Sequence, residues 1–214
     1  MFNTIPKAKL PFKGLKKQQK NSYYKGYYKM LMSKYNNLQA YRSLFECENQ
    51  EVKHISTSVG CSKGICLGDS KSHIINQKGK PASYQDVKLN GAVEIILYRD
   101  KIANYRIISE YHFYNERLFY YSHRFSFVEN RKSQEIKNTL IEKYCNGQYF
   151  DLEKKVLKDS NNHALAMEDN VDLTIKYIDF NTEFKDYISS FIKNKNKNKH
   201  KQQRKAAALL YNYL

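Results

Sequence analysis

Few residues in this chain are placed to do chemistry. Cys61 and Cys66 are the only close pair among four cysteines, and Cys47, His54, His73 or Cys145 could complete a tetrahedral ligand set around them. No second cysteine pair supplies the other half of a metal site, so three readings stand: ordinary buried thiols, a zinc site, or a disulfide, which needs an oxidising compartment. Glu110 and His112 lie two apart, on one face of any extended strand, and Arg124 can oppose them across a turn. A carboxylate beside an imidazole can orient a general base, but on a solvated sheet face such a trio is ordinarily a charge cluster. His123 points to the other, aromatic face, where a hydrogen-bonded core histidine is expected. There is no phosphate-binding Gly-x4-Gly-Lys-Ser/Thr, no Gly-x-Gly-x-x-Gly, no His-Glu-x-x-His and no Gly-x-Ser-x-Gly. The residues therefore suggest a protein that is not an enzyme, with no catalytic residue, metal, cofactor or small-molecule substrate to assign.

Periodicity gives the elements that would position these side chains. Tyr24, Tyr28, Leu31, Tyr35, Leu38 and Phe45 fall at steps of four, three, four, three and seven, predicting one helix over 22–45 with Lys25, Lys29 and Lys34 on its other face. A strand is expected within Val52–Val59. Asp69 or Ser70 caps a helix that stops at Gly79, before Lys80-Pro81. Asn90-Gly91 marks a hairpin between Val87–Leu89 and Ala92–Tyr98. Two strands at Tyr105–Tyr114 and Arg117–Val128 meet at Asn115-Glu116. Alternation puts Tyr111, Phe113, Phe119, Tyr121, Phe125 and Phe127 on a core face, and Glu110, His112, Tyr120 and Arg124 on a wetter one. A helix over 133–144, strands near 150–157, 163–168 and 171–178, and a helix capped by Asn181 that buries Phe184, Ile188 and Phe191 complete the pattern. The fold class is α+β: an antiparallel meander with short helices packed on one face, preceded by an amphipathic helix and flanked by basic extensions. A loose similarity between 69–128 and 133–178 suggests an internal duplication.

The charge is distributed unevenly. Of 37 Lys and Arg, ten lie in residues 1–45, where there is no Asp or Glu, and seven lie in 193–205, again without an acid. All 21 acids and the other 20 bases lie between, so a near-neutral body carries two basic ends. The expected parts are an extended basic arm (1–21), a Tyr/Lys helix (22–45), a body (46–192) and a basic tail with a short apolar tip (193–214). A polyanion is the natural partner, RNA above all, with an acidic membrane surface as the alternative. The contacting residues would be Lys13, Lys16, Lys17 and Lys20 of the arm, Lys25, Lys29 and Lys34 of the helix, and Lys193, Lys195, Lys197, Lys199, Lys201, Arg204 and Lys205 of the tail. Leu209, Leu210, Tyr211 and Leu214 of the apolar tip read as a docking element for protein subunits of an assembly. No run of eighteen apolar residues and no secretory leader is seen, which suggests an intracellular protein, cytoplasmic or in an organellar matrix.

The stretch Gly64-Ile65-Cys66-Leu67-Gly68-Asp69-Ser70-Lys71, then Gly79-Lys80-Pro81, Tyr98 and the strands from Tyr111 to Phe127, resembles the small outer-membrane assembly lipoprotein family (the SmpA/OmlA, or BamE, type) and the related β-lactamase-inhibitor-protein-like fold. The resemblance covers about 65 residues and implies a helix-plus-meander domain that binds other proteins and catalyses nothing. It departs in lacking a lipidated cysteine after a leader and in carrying basic extensions. It implies no functional residues. Hence the expected function is a non-enzymatic accessory component of a larger assembly, holding a polyanion through its ends. A protein-binding module of the inhibitor type is the second reading, and an unrecognised small enzyme the third.

Overall fold

The computed structural model describes residues 26, 28–31, 33–36, 38–62, 64–87, 93–193 and 203. Ten strands and five helices are numbered in chain order. The helices are α1 (helical residues between 26 and 35), α2 (Leu38–Glu46), α3 (Lys71–Lys78), α4 (Asn130–Cys145) and α5 (183–193). The strands are β1 (Glu51–His54), β2 (Cys61–Ser62), β3 (Ile65–Cys66), β4 (Ser83–Val87), β5 (Val93–Ile102), β6 (Tyr105–Tyr114), β7 (Arg117–Phe125), β8 (Lys155–Lys158), β9 (His163–Asp169) and β10 (Leu173–Asp179).

Eight strands form one sheet in the order β1-β8-β9-β10-β7-β6-β5-β4, and β2 and β3 form a separate hairpin. All pairs are antiparallel except β1 with β8. The class is α+β, as the alternating and helical periodicities predict. Two three-stranded meanders, β5-β6-β7 and β8-β9-β10, meet where β7 pairs with β10.

Local chemistry accounts for the boundaries. Ser70 caps α3 by accepting the His73 N–H at 3.2 Å, and Gly79 ends it at φ 78°, a conformation that suits glycine. Asn115 and Glu116 both take positive φ, 48° and 64°, as a two-residue turn matched to strand twist demands. Gly60 is fixed by space as well as by φ (85°): a β-carbon there would lie 2.7 Å from Leu67 Cδ1. The Asn90-Gly91 turn lies outside the described residues, but β4 and β5 pair up to Val87 and Val93, antiparallel as expected.

Helices cover both faces of the sheet, where a single covered face was expected. Ile74 of α3 and Ile136, Leu140 and Tyr144 of α4 pack with Tyr111, Phe113, Tyr121 and Tyr177 on one side. On the other, Leu31 and Tyr35 of α1, Leu38, Tyr41, Leu44 and Phe45 of α2, and Phe184 and Ile188 of α5 pack with Ile95, Leu97, Phe119 and Tyr120. The 22–45 helix is two helices, separated by a turn at Asn36. Both send their apolar stripe into the core, so the folded unit does not begin at residue 46. The first strand is shorter than expected, α4 is longer, and α5 starts after Thr182, whose hydroxyl accepts the Phe184 N–H at 3.3 Å.

A bulge corrects the aromatic face. Phe113 pairs with Leu118 but His112 pairs with Tyr120, leaving Phe119 as the extra residue. Phe119 therefore joins Tyr120 on the α2 side instead of sharing a face with Tyr121. Phe127 lies beyond the end of β7, 80% exposed.

Candidate functional site

Helix α1 faces both ways. Leu31 and Tyr35 are buried against the sheet while Lys29 and Lys34 are exposed, the Lys34 ammonium lying 5.0 Å from the Tyr35 ring centre. Lys193, at the end of α5, is also exposed. The other sequence-predicted contacts, Lys13, Lys16, Lys17, Lys20, Lys25, Lys195, Lys197, Lys199, Lys201, Arg204 and Lys205, lie outside the described residues. So do Leu209, Leu210, Tyr211 and Leu214.

Beneath α1 and α2 the expected wet face is buried. Glu110 is 4% exposed and His112 wholly buried, because the helices that cover them come from a part of the chain that strand alternation cannot see. The Tyr41 hydroxyl lies 3.0 Å from His112 Nδ1, the Tyr35 hydroxyl donates to Glu110 Oε2 at 3.4 Å, and His112 Nε2 stands 3.6 Å from the same oxygen. With the proton on Nε2, Tyr41 donates to Nδ1 and the Nε2–H faces the carboxyl group, a consistent set of roles. Burial pushes the His112 imidazole down, outweighing the Glu110 carboxyl beside it, and pushes the Tyr35 and Tyr41 phenols well up. The cluster is a core of neutral hydrogen-bonded rings closed over a carboxyl group. Glu110 and Arg124 line one cavity of about 310 Å³ with Lys34, while His112 is sealed behind it. The trio thus does not assemble as an acid–base site open to a substrate.

The opposite face carries a cavity of about 420 Å³, lined among others by Lys78, Asp100, Ser109, Tyr121 and His123. Ser109 Oγ lies 2.9 Å from His123 Nδ1 and 3.4 Å from Asp100 Oδ2, and Lys78 pairs with Asp100 at 2.9 Å. The carboxylate meets the serine and not the imidazole, so the order nucleophile, base, orienting acid is not met. His123 is half-buried and hydrogen-bonded, standing directly opposite Ser109 in the β6–β7 register. That pairing was invisible without the register.

The cysteines separate by environment. Cys61 and Cys66 stand opposite each other on β2 and β3 and form a disulfide, one of the three readings the spacing allowed. Cys47 and Cys145 are unpaired thiols, and burial pushes Cys47 up to about 11. Among the described residues no group of His, Cys, Asp or Glu could hold a metal ion, and no helix is long and apolar enough to cross a membrane.

The body neutralises its own charge. Lys71 pairs with Glu94 and Glu116, Lys137 with Glu153 and Asp169, Lys155 with Glu51, Lys158 and Lys185 with Glu48, Lys176 with Glu168, and Arg124 with Asp172. Burial alone would lower the Lys71 ammonium, but Glu94 and Glu116 outweigh it and hold it up. Compared with known proteins, the chain finds no matching family model, curated protein or solved structure.

Proposed function

We propose that this protein is a non-enzymatic accessory component of a larger assembly, which binds RNA through its basic ends while the folded body contacts protein partners. The observation that carries this reading is the separation of charge. Carboxylates of the body are spent on the body's own lysines and arginines, whereas residues 1–45 and 193–205 hold seventeen bases and no acid. Arg42 is met by Glu46 at 2.9 Å, but the other sixteen have no carboxylate within their own segments, and phosphates would supply the counter-charge with release of counterions. Exposure of Lys29, Lys34 and Lys193 on helices anchored to the body is in keeping with this. RNA places the protein inside the cell or an organellar matrix; the Cys61–Cys66 bridge asks for an oxidising setting there, which thiol titration of protein taken from cells would test.

The test is fluorescence anisotropy of the full chain with single-stranded RNA across a salt series. Seven to ten phosphate contacts give a slope of log K on log salt of about −5 to −7. Replacing Lys13, Lys16, Lys17 and Lys20, or Lys195, Lys197, Lys199 and Lys201, by Gln should each make the slope shallower by about 3. Absence of binding at about 50 mM salt, where such contacts are strong, would overturn the reading, as would both variants binding like the wild type.

A further inference from the structure

One end of the sheet holds cations that the body leaves unmatched. Lys101 and Arg106 stand directly opposite each other on β5 and β6, both exposed, and among the described residues neither meets a carboxylate. Like charges directly opposite on neighbouring strands repel. Where Asp86 stands opposite Glu94 on β4 and β5, Lys71 pairs with Glu94, whereas the Lys101–Arg106 pair meets no such counter-ion among the described residues. Arg99 lies two residues from Lys101 on the same face, its guanidinium 5.3 Å from the Tyr28 ring centre of α1. The unmatched pair therefore adjoins the helix that continues the basic first segment of the chain.

Beside this pair is an aromatic ring presented to solvent. Phe127 is 80% exposed and has φ 55°, a left-handed conformation that is rare and costly for a bulky side chain. Its N–H donates to Asp172 Oδ1 at 3.2 Å, which holds the segment after β7 in that conformation. Between the ring and the cations is a recess of about 540 Å³, lined among others by Lys101, Tyr105, Arg106, Phe127 and Lys132. That is within the range of small-molecule sites, large enough for a nucleotide.

We infer that this end of the sheet is a binding site for single-stranded RNA, whose phosphates meet Lys101 and Arg106 and one of whose bases stacks on Phe127. A polyanion relieves the like-charge pair, and a base offers the flat apolar face that an exposed ring lacks. A lipid surface presents its anions in a plane, whereas here cations and ring border a recess. The inference rests on the RNA-binding reading and gives the body a part in it.

The test uses the full chain and a short oligouridylate. Phe127→Ala should weaken binding about tenfold with the salt slope unchanged, and Phe127→Trp should bind at least as well as the wild type. The double variant Lys101→Gln with Arg106→Gln should make the slope shallower by about 1.4, its thermal midpoint equal to or above that of the wild type. Ultraviolet crosslinking should attach uracil at or next to Phe127. If these variants bind like the wild type while the tail variant loses affinity, this site is wrong and the RNA-binding reading stands. If these variants lose affinity and neither the arm nor the tail variant does, the site stands and the ends lose their role. A wild type that ignores RNA, whether or not it binds phosphatidylserine vesicles, overturns both.

Discussion

His112 shows how far a residue's type can mislead about its work. Beside Glu110 it looks like half of a general acid–base pair, yet it lies wholly buried with Tyr41 on Nδ1, facing Tyr35 and Tyr120 at ring distances of 4.5 and 4.8 Å. Desolvation lowers its pKa against the pull of Glu110, and Lys34 adds to the lowering. The unfolded chain therefore takes up this proton first, near pH of about 6.5, and stability falls as pH drops below that value until the folded protein also binds it. The urea midpoint of the wild type should decline between about pH 7 and 5. His112→Gln should be less stable at neutral pH but flat over that window, and persistence of the full slope in this variant would remove the assignment. A second loss belongs below about pH 4.5. Burial alone would raise Glu94 and Asp169, but Lys71 and Lys137 hold both below the usual range, so the stability they add is present above the ordinary carboxylate pKa and is lost as pH falls through their folded values. The sequence named Glu110, His112 and Arg124 correctly as a same-face group. It could not tell their surroundings, because alternation reports which residues share a face and says nothing of what covers it.

At the scale of elements, the strongest local signals are the ones found where expected. The Ser70 cap, the Gly79 stop, the Asn115-Glu116 turn and the β6–β7 pair each depend on neighbours within a few residues. The misses depend on distant ones. Phe119 changes sides through a bulge that a partner strand defines, and the 22–45 helix breaks at Asn36 while both halves bury their apolar stripe in the same core. Those halves bury Leu31, Tyr35, Leu38, Tyr41, Leu44 and Phe45, each contributing roughly 1.5–3 kcal/mol on burial. Together they rival the roughly 5–15 kcal/mol of a whole domain. A fragment spanning 46–192 should consequently bind hydrophobic dye and lose its near-ultraviolet circular dichroism, while one spanning 26–193 keeps a sharp transition. A native-like 46–192 fragment would show that α1 and α2 are accessories to the fold.

For the whole molecule, one sheet serves two cores. Leu140 belongs to the α4 side and Phe184 to the α2–α5 side, and β6 and β7 contribute residues to both. Unfolding either layer exposes the other's floor, so the chain should melt in one transition. Leu140→Ala and Phe184→Ala should each cost about 3–5 kcal/mol and shift that same transition, followed by tyrosine fluorescence and circular dichroism together. Two separated transitions in either variant would mean that the faces are independent. The sequence alone determined the α+β class, the Ser70 cap, the Gly79 stop, the Asn115-Glu116 turn, and the confinement of net charge to the two ends, since these follow from composition and from spacing along the chain. Only the tertiary structure decided that helices close both faces, that the Glu110–His112 cluster is core, and that Lys101 and Arg106 confront each other beside an exposed Phe127. Each of these is a relation between residues far apart in sequence, set by strand register and by which buried surface a helix finds to cover.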